Sequence, residues 1–336
     1  MKKPVTIKDL SKHLLLSTST ISRALTNDKN IRKETREKVL QAAQELGYKP
    51  NLTAVNLKLG RSNSVGVIVP EMITPFASQV LEGIQEILWP EGYRVIIAQS
   101  EEDPQTEKKN LQLMEQFQVD GIIICVCDQA VNQSLYLQIQ QKGIPMVFYD
   151  RISKEMEGSQ VIVDDYMKSV FMVEHLIQTG RKNIVHLHGP SYINNSAERF
   201  KGYKKALEKH KIPYSPELVI KTGLTFDDGM NAARQLLESN LPFDSIFAFT
   251  DTLAIGAMNY LREQNIKIPE QVAVASFSGT TLSTLVYPQL TTVEQPLKEM
   301  GRTAAEMILN KISDKSYEDK TVVLDAKIKI RASTTV

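Results

Sequence analysis

The sequence predicts an α/β protein in which a small, basic helical module precedes two doubly wound lobes of parallel strands. Three observations carry this. Charge is uneven: residues 1–62 hold 13 Lys and Arg against 5 Asp and Glu, net +8, whereas the remainder holds 27 against 34, net −7, although the whole chain stands at +1. Apolar residues recur at helical spacing through the first 48 residues, and from Ser64 onward short, near-continuous apolar runs alternate with amphipathic stretches. A chain of 336 residues, 42% hydrophobic and 24% charged, has room for such a module plus one or two larger domains. The opening MKKPVTIKDL is basic but has no apolar run behind it, and no later stretch reaches ~18 uncharged apolar residues. Neither a secretion signal nor a membrane span is expected, and the cytoplasm is the expected location.

The first helix is announced by Thr6-Ile7-Lys8-Asp9, a capping box, with Ile7, Leu10 and Leu14 on one side. Polarity resets at Ser17, a good N-cap, and Ile21, Ala24 and Leu25 give a second helix its inward face. Its other face carries Ser19, Ser22 and Arg23 at i, i+3, i+4. A third helix from about Lys33 to Leu46 is expected to bury Val39, Leu40, Ala43 and Leu46 and to end at Gly47. Two short helices a few residues apart, braced by a third, make a helix-turn-helix. In that motif the start of the second helix enters the major groove. Small hydroxyls there allow close approach to base edges, while Ser22 and Arg23 can reach phosphate or guanine. Thr6, Ser17, Thr18, Ser19, Ser22 and Arg23 are therefore the candidate DNA contacts. A Ser/Thr-rich cap alone would explain Ser17 but not the polar face behind it.

The segments TIKDLSKHLLLSTSTISRAL, ETREKVLQAAQELGYKPN and GRSNSVGVIVPEM resemble the lactose-repressor (LacI/GalR) family of bacterial transcription regulators, and the similarity runs over essentially the whole chain. The resemblance implies a headpiece over 1–49, a hinge helix and linker over 50–62, and an effector-binding and dimerisation domain over 63–336. That domain should resemble the two-lobed periplasmic (type I) sugar-binding proteins, with an N-lobe of about 63–162 and 293–322 and a C-lobe of about 163–292 and 323–336. In the hinge, PNLTAVNLKLG, Asn51 can cap a short helix and Gly60 can end it. So short a segment is not stably helical alone and is expected to fold against its dimer mate and DNA. The family wedges a leucine of this segment between base pairs in the minor groove, and the matching residue is Leu57. Three departures stand out: Leu15 where a Gly or Asn usually makes the turn, Arg32 where a Ser usually caps the third helix, and Val55 where an Arg usually precedes the wedge. Leu15 is expected to be strained at positive φ.

Beyond the hinge, VGVIVP, YRVIIAQ, DGIIICV and IPMVFYD form one series of strands, and VIVDD, NIVHLHG, DSIFAFTD and VAVASFS a second. Such apolar runs imply two parallel sheets covered by helices on both faces. Ligands of these sheets bind beyond the carboxyl ends of the strands. The residues found there are Phe76, Asp150, Arg151, Arg199, Asp251 and Ser278. Phe76 could stack on an apolar ring face, Asp150 and Asp251 could accept hydroxyl protons, and Arg199 could donate a fork of hydrogen bonds. The resemblance independently marks Phe76, Asp150, Arg199 and Asp251 as effector contacts. Singly, each has a plainer explanation, since an Asp after a strand is often a helix cap and an Arg on a helix is usually solvated. Ser278 stands where many family members carry an aspartate, which points to a different sugar, a sugar derivative or another ligand.

Trp89 is expected in the core, and His186 and His188, alternating on one strand, read as packing or cleft-edge residues. Cys125 and Cys127 should share one face of a buried strand, too close in register for a disulfide and too few for zinc. No nucleophile elbow, phosphate loop, dinucleotide fingerprint or metal-ligand cluster is present in the sequence, so an enzyme is not expected. A secreted transport receptor would lack the basic headpiece. The expectation is a homodimeric repressor with double-stranded DNA, a near-palindromic operator, and a carbohydrate effector as its partners. No cofactor, metal or membrane is expected, and the residues between the apparent final strand, TVVLDAKIKIR, and Val336 hold no heptad extension that could build a tetramer.

Overall fold

The computed structural model describes residues 5–26, 28–48, 61–153 and 158–335. The chain divides into two compact units, Met1–Ser62 and Asn63–Val336. The proposed hinge residues Asn51, Val55 and Leu57 lie outside the described residues.

The first unit has three helices, α1 (Ile7–Leu14), α2 (Thr18–Leu25) and α3 (Lys33–Glu45). Their shared core is Leu10, Ile21, Ala24, Val39, Ala42 and Ala43, edged by partly buried Leu14, Leu25 and Leu46. Leu40 was expected in this core and instead lies 48% exposed. The helical step puts Ala42 and Ala43 over Val39, three and four residues on, and turns Leu40 roughly 100° away. Leu15 caps α1 in the left-handed region at φ 53°, ψ 34°, as its place in the turn predicts, and its side chain is 91% exposed. The α3 N-cap, Arg32, makes no side-chain capping bond.

The second unit contains two six-stranded sheets. The first joins β1 (Ser64–Val69), β2 (Arg94–Gln99), β3 (Gly121–Ile124), β4 (Met146–Tyr149), β5 (Ser159–Val163) and β11 (Thr321–Leu324) in the order β11-β5-β4-β3-β1-β2. The second joins β6 (Ile184–His188), β7 (Val219–Lys221), β8 (Ser245–Ala248), β9 (Ala273–Ser278), β10 (Thr291–Glu294) and β12 (Lys327–Lys329) in the order β12-β10-β9-β8-β6-β7. Strands β1, β3 and β4 are buried along their whole length, which is why they read as unbroken apolar runs. Two expectations are corrected. VIVDD, assigned to the second series, pairs with β4 and β11 in the first sheet. The terminal TVVLDAKIKIR is two strands in two different sheets, and β12 runs antiparallel to β10, so the second sheet is mixed.

Each sheet has the doubly wound arrangement in which the first strand of the series has its second and third strands on opposite sides, the place where ligands collect. Helices α4 (Pro75–Leu88) and α12 (Leu297–Ser313) cover the first sheet and touch through glycine: a Cβ at Gly301 would stand 2.0 Å from the Val80 carbonyl oxygen. Trp89, expected in the core, caps α4 and is 61% exposed. It follows Leu88, which takes the inward position at the end of the helix. Cys125 and Cys127 are buried and free, as expected of core residues, but they follow β3 rather than lie on it. Among the described residues no helix is long and apolar enough to cross a membrane.

Candidate functional site

In the first unit the candidate DNA-reading residues are built on two helix caps. The Thr6 amide and hydroxyl donate to Asp9 Oδ2 at 2.8 and 2.7 Å, while the Asp9 amide donates back to Thr6 Oγ1 at 3.4 Å. These bonds from Thr6 hold the Asp9 carboxyl below its ordinary range. Ser17 Oγ accepts the Thr20 amide at 3.1 Å and fixes the start of α2. With Ile21 and Ala24 turned into the core, Ser17, Thr18, Ser19 and Arg23 are left exposed and Ser22 half-buried. Arg23 faces Asp28 at 3.9 Å, an ion pair in water and a weak tether. The face is short, polar and sterically low, which suits entry into a groove.

The second unit contains a cavity of about 660 Å³, within the range of small-molecule sites. Its walls come from the segments that follow the strands, and the structure brings Phe76, Asp150, Arg151, Arg199, Asp251 and Ser278 together on it. Helices α8 (Asn194–Lys209), α9 (Phe226–Glu238) and α10 (Asp251–Glu263) begin there, as does α4.

Arg199 is 2% exposed. Its Nε donates to Asp165 Oδ1 at 2.8 Å and its Nη1 to the Phe249 carbonyl at 2.5 Å, and the guanidinium lies over the Phe277 ring at 3.7 Å. Burial pushes the Asp165 carboxyl up to about 7, with the Arg199 charge opposing the shift. Arg151 is likewise engaged, its Nη1 donating to Glu102 Oε2 at 2.7 Å. Arg199 thus spends its Nε and Nη1 on protein partners and does not offer the wholly free fork that the sequence suggested.

The two aspartates differ. Asp251 Oδ1 accepts from Ser276 Oγ at 2.7 Å and Thr292 Oγ1 at 2.8 Å; its Oδ2 accepts from the Thr280 amide at 2.7 Å and the Thr280 hydroxyl at 3.0 Å. Both oxygens are filled, so Asp251 lines the cavity as the tie that holds the 276–280 turn, and the expectation that it accepts ligand hydroxyls is corrected. Asp150 receives one such bond, from Asn195 Nδ2 at 3.3 Å, with Cys125 Sγ 4.0 Å from its other oxygen. Burial raises the Asp150 carboxyl above its ordinary value, against the pull of Arg199 and Arg151. Asp150 sits at φ 56° and Ser278 at φ 126°, backbone conformations that non-glycine residues rarely adopt and that concentrate at functional sites.

Two cavity residues escaped the sequence reading. Gln295 is 3% exposed, and neither its Nε2 nor its Oε1 has a hydrogen-bond partner among the described residues; Asn195, 1% exposed, has an unpartnered Oδ1. Gln295 follows β10 as Asp150 follows β4, and that placement was the available signal. His186 and His188 lie outside the cavity lining. His186 is buried among Phe200, Tyr203 and Phe247, and burial holds its imidazole down to about 3. Among the described residues no group of His, Cys, Asp and Glu could hold a metal.

The family model for the periplasmic binding proteins and sugar binding domain of the LacI family matches residues 62–333, and that for bacterial regulatory proteins of the lacI family matches residues 6–51. The chain belongs to the LacI family. As a LacI-family protein it is a DNA-binding transcriptional regulator with a domain of the sugar-binding type, and not an enzyme. The ribose operon repressor of Halalkalibacterium halodurans is 30% identical over 98% of this chain and 97% of its own. The transcriptional repressor CytR of Escherichia coli K12 is 31% identical over 98% and 96%. Among solved structures, a complex of the transcriptional regulator CelR with cellobiose superposes with a TM-score of 0.75 at 26% identity, over 98% of this chain and 99% of that one. The lac repressor dimer bound to operator and an anti-inducer shares the fold, with a TM-score of 0.88 at 23% identity over 99% and 100%.

Proposed function

We propose that this LacI-family regulator is a repressor that binds a near-palindromic operator as a homodimer, and that a sugar or sugar derivative in the cavity sets its DNA affinity. The observation that carries the reading is the cavity itself: the buried Gln295 amide and the Asn195 Oδ1, without hydrogen-bond partners among the described residues, beside the strained Asp150. Unsatisfied buried polar groups cost about 1–3 kcal/mol each, and a hydroxylated ligand supplies what they lack. The relatives' names, a ribose operon repressor and a regulator in complex with cellobiose, support a carbohydrate.

In this reading Ser17, Thr18, Ser19, Ser22 and Arg23 read the major groove, Thr6 meets the backbone, and Asn51 and Leu57 act in the minor groove. A ligand that fits one arrangement of the two lobes better than another shifts the population of DNA-competent dimers. By linkage, operator and ligand then alter each other's affinity by the same factor. The test is selection of the purified protein against a random duplex pool. Enrichment of a single palindrome is expected, and its loss or gain of affinity in the cavity ligand identifies an inducer or a co-repressor. Retention of no sequence above the pool, with ligand and without it, contradicts the proposal.

A further inference from the structure

The charges around the cavity deepen the proposed function and rest on that reading of the cavity as the effector site. Among the described residues, six carboxyl side chains line it against two guanidinium groups, and no lysine or histidine does. Both guanidinium charges are already answered at contact distance, Arg199 by Asp165 at 2.8 Å and Arg151 by Glu102 at 2.7 Å. The helix ends that open onto the space bring positive partial charge; three of the four are answered by carboxylates, while α8 starts with neither a side-chain cap nor an acidic residue in its first turn. Glu71 accepts the amides of Ile73 and Thr74 ahead of α4, Asp227 and Asp228 occupy the first turn of α9, and Asp251 that of α10.

A phosphate or carboxylate placed here would lose its hydration, find no uncommitted cation among the described residues, and face the remaining carboxylates. A neutral sugar gives up less hydration and meets neither of the charge costs. Its hydroxyls both donate and accept, matching Gln295, whose buried amide has a donor end and an acceptor end unfilled, and the buried, unpartnered Oδ1 of Asn195. We infer that the cavity selects an uncharged polyhydroxyl ligand over its phosphorylated or acidic derivatives, with Gln295 and Asn195 reading the hydroxyls.

The experiment is isothermal titration calorimetry of the full chain with D-ribose, D-glucose, D-ribose 5-phosphate, D-glucose 6-phosphate and D-gluconate. A neutral sugar is expected to bind, with its anionic counterpart weaker by at least about 10-fold. Gln295→Ala should weaken the neutral sugar by a similar factor, and Glu102→Gln, which uncovers the Arg151 charge, should narrow the gap between the pair. An anionic form that binds as tightly as its neutral parent, while still losing affinity in Gln295→Ala, overturns the charge argument and leaves the effector site standing. Binding that ignores Gln295→Ala, or no binding of any of the five, removes the site and the inference together.

Discussion

The polar residues assigned to DNA stand in water, whereas those around the cavity are buried and mostly committed to one another. Ser17, Thr18, Ser19 and Arg23 are exposed on a three-helix unit with a thin core, and their only structural duties are a cap and a weak ion pair. Arg199, Asp251 and Asp150 are each under a tenth exposed, and they are joined to residues 25 to 50 positions away in the chain. The first arrangement leaves recognition free of folding: a side chain can change and the module persists. The second couples them, so that a change at the cavity wall also alters the body, which is what a domain that senses a ligand by shape requires.

Mutations can break or sharpen this contrast. The largest effect is expected from Arg199→Ala, which strands the Asp165 carboxylate. Loss of one partner of a buried pair costs about 3–5 kcal/mol, read by urea unfolding together with loss of ligand binding. Asp251→Asn and Asp150→Asn should then separate the two aspartates. An amide at 251 keeps one accepting oxygen where the carboxylate has two, so one pair of its four donors faces an NH2 group, at about 1–3 kcal/mol of stability. At 150 the same change should leave stability nearly unaltered while ligand affinity falls. Equal stability losses at the two sites would erase the distinction drawn between them.

His186 gives the buried body a pH dependence. Its folded value of about 3 lies below the unfolded 6.5, so below pH 6.5 only the unfolded chain takes up this proton. Stability is therefore lost as pH falls, by about 1.4 kcal/mol per pH unit from this group. Unfolding at pH 6.5 and pH 5 should show that slope reduced in His186→Phe. In the headpiece, Ser17→Ala removes the α2 cap and should cost about 1 kcal/mol. Smallest in stability is Ser19→Ala, within about 0.5 kcal/mol of the parent. Its operator affinity, measured by fluorescence anisotropy, should nonetheless fall by about 1–3 kcal/mol if Ser19 contacts a base.

What the sequence disclosed follows from how far each feature reaches along the chain. The Thr6–Asp9 box, the Ser17 cap and the left-handed Leu15 involve neighbours within a few positions, and the strands are legible because burial on both faces leaves no room for polar residues. Leu40 and Trp89 were misplaced because each adjoins a residue that takes the inward position, and one step along a helix decides between core and water. The sheet to which Ser159–Val163 belongs is set by a crossover, and nothing in VIVDD records it. At the cavity, position after a strand located Phe76, Asp150, Arg151, Arg199, Asp251 and Ser278. It did not disclose that Asp251 is filled, since its donors are Ser276, Thr280 and Thr292, nor that Arg199 is matched by Asp165. Gln295 stayed hidden because an amide shows its need only once its surroundings are known.

The central claim is that occupancy of the cavity is felt at the DNA. It is tested most directly by operator affinity, measured by anisotropy on the duplex recovered from selection, with and without a saturating cavity ligand, in the parent protein and in Gln295→Ala. The account predicts a ligand-dependent change of about 5- to 150-fold in the parent, with its midpoint moved to about 10-fold higher ligand concentration in the variant. An operator affinity that stays constant while calorimetry shows the parent cavity filled would contradict it.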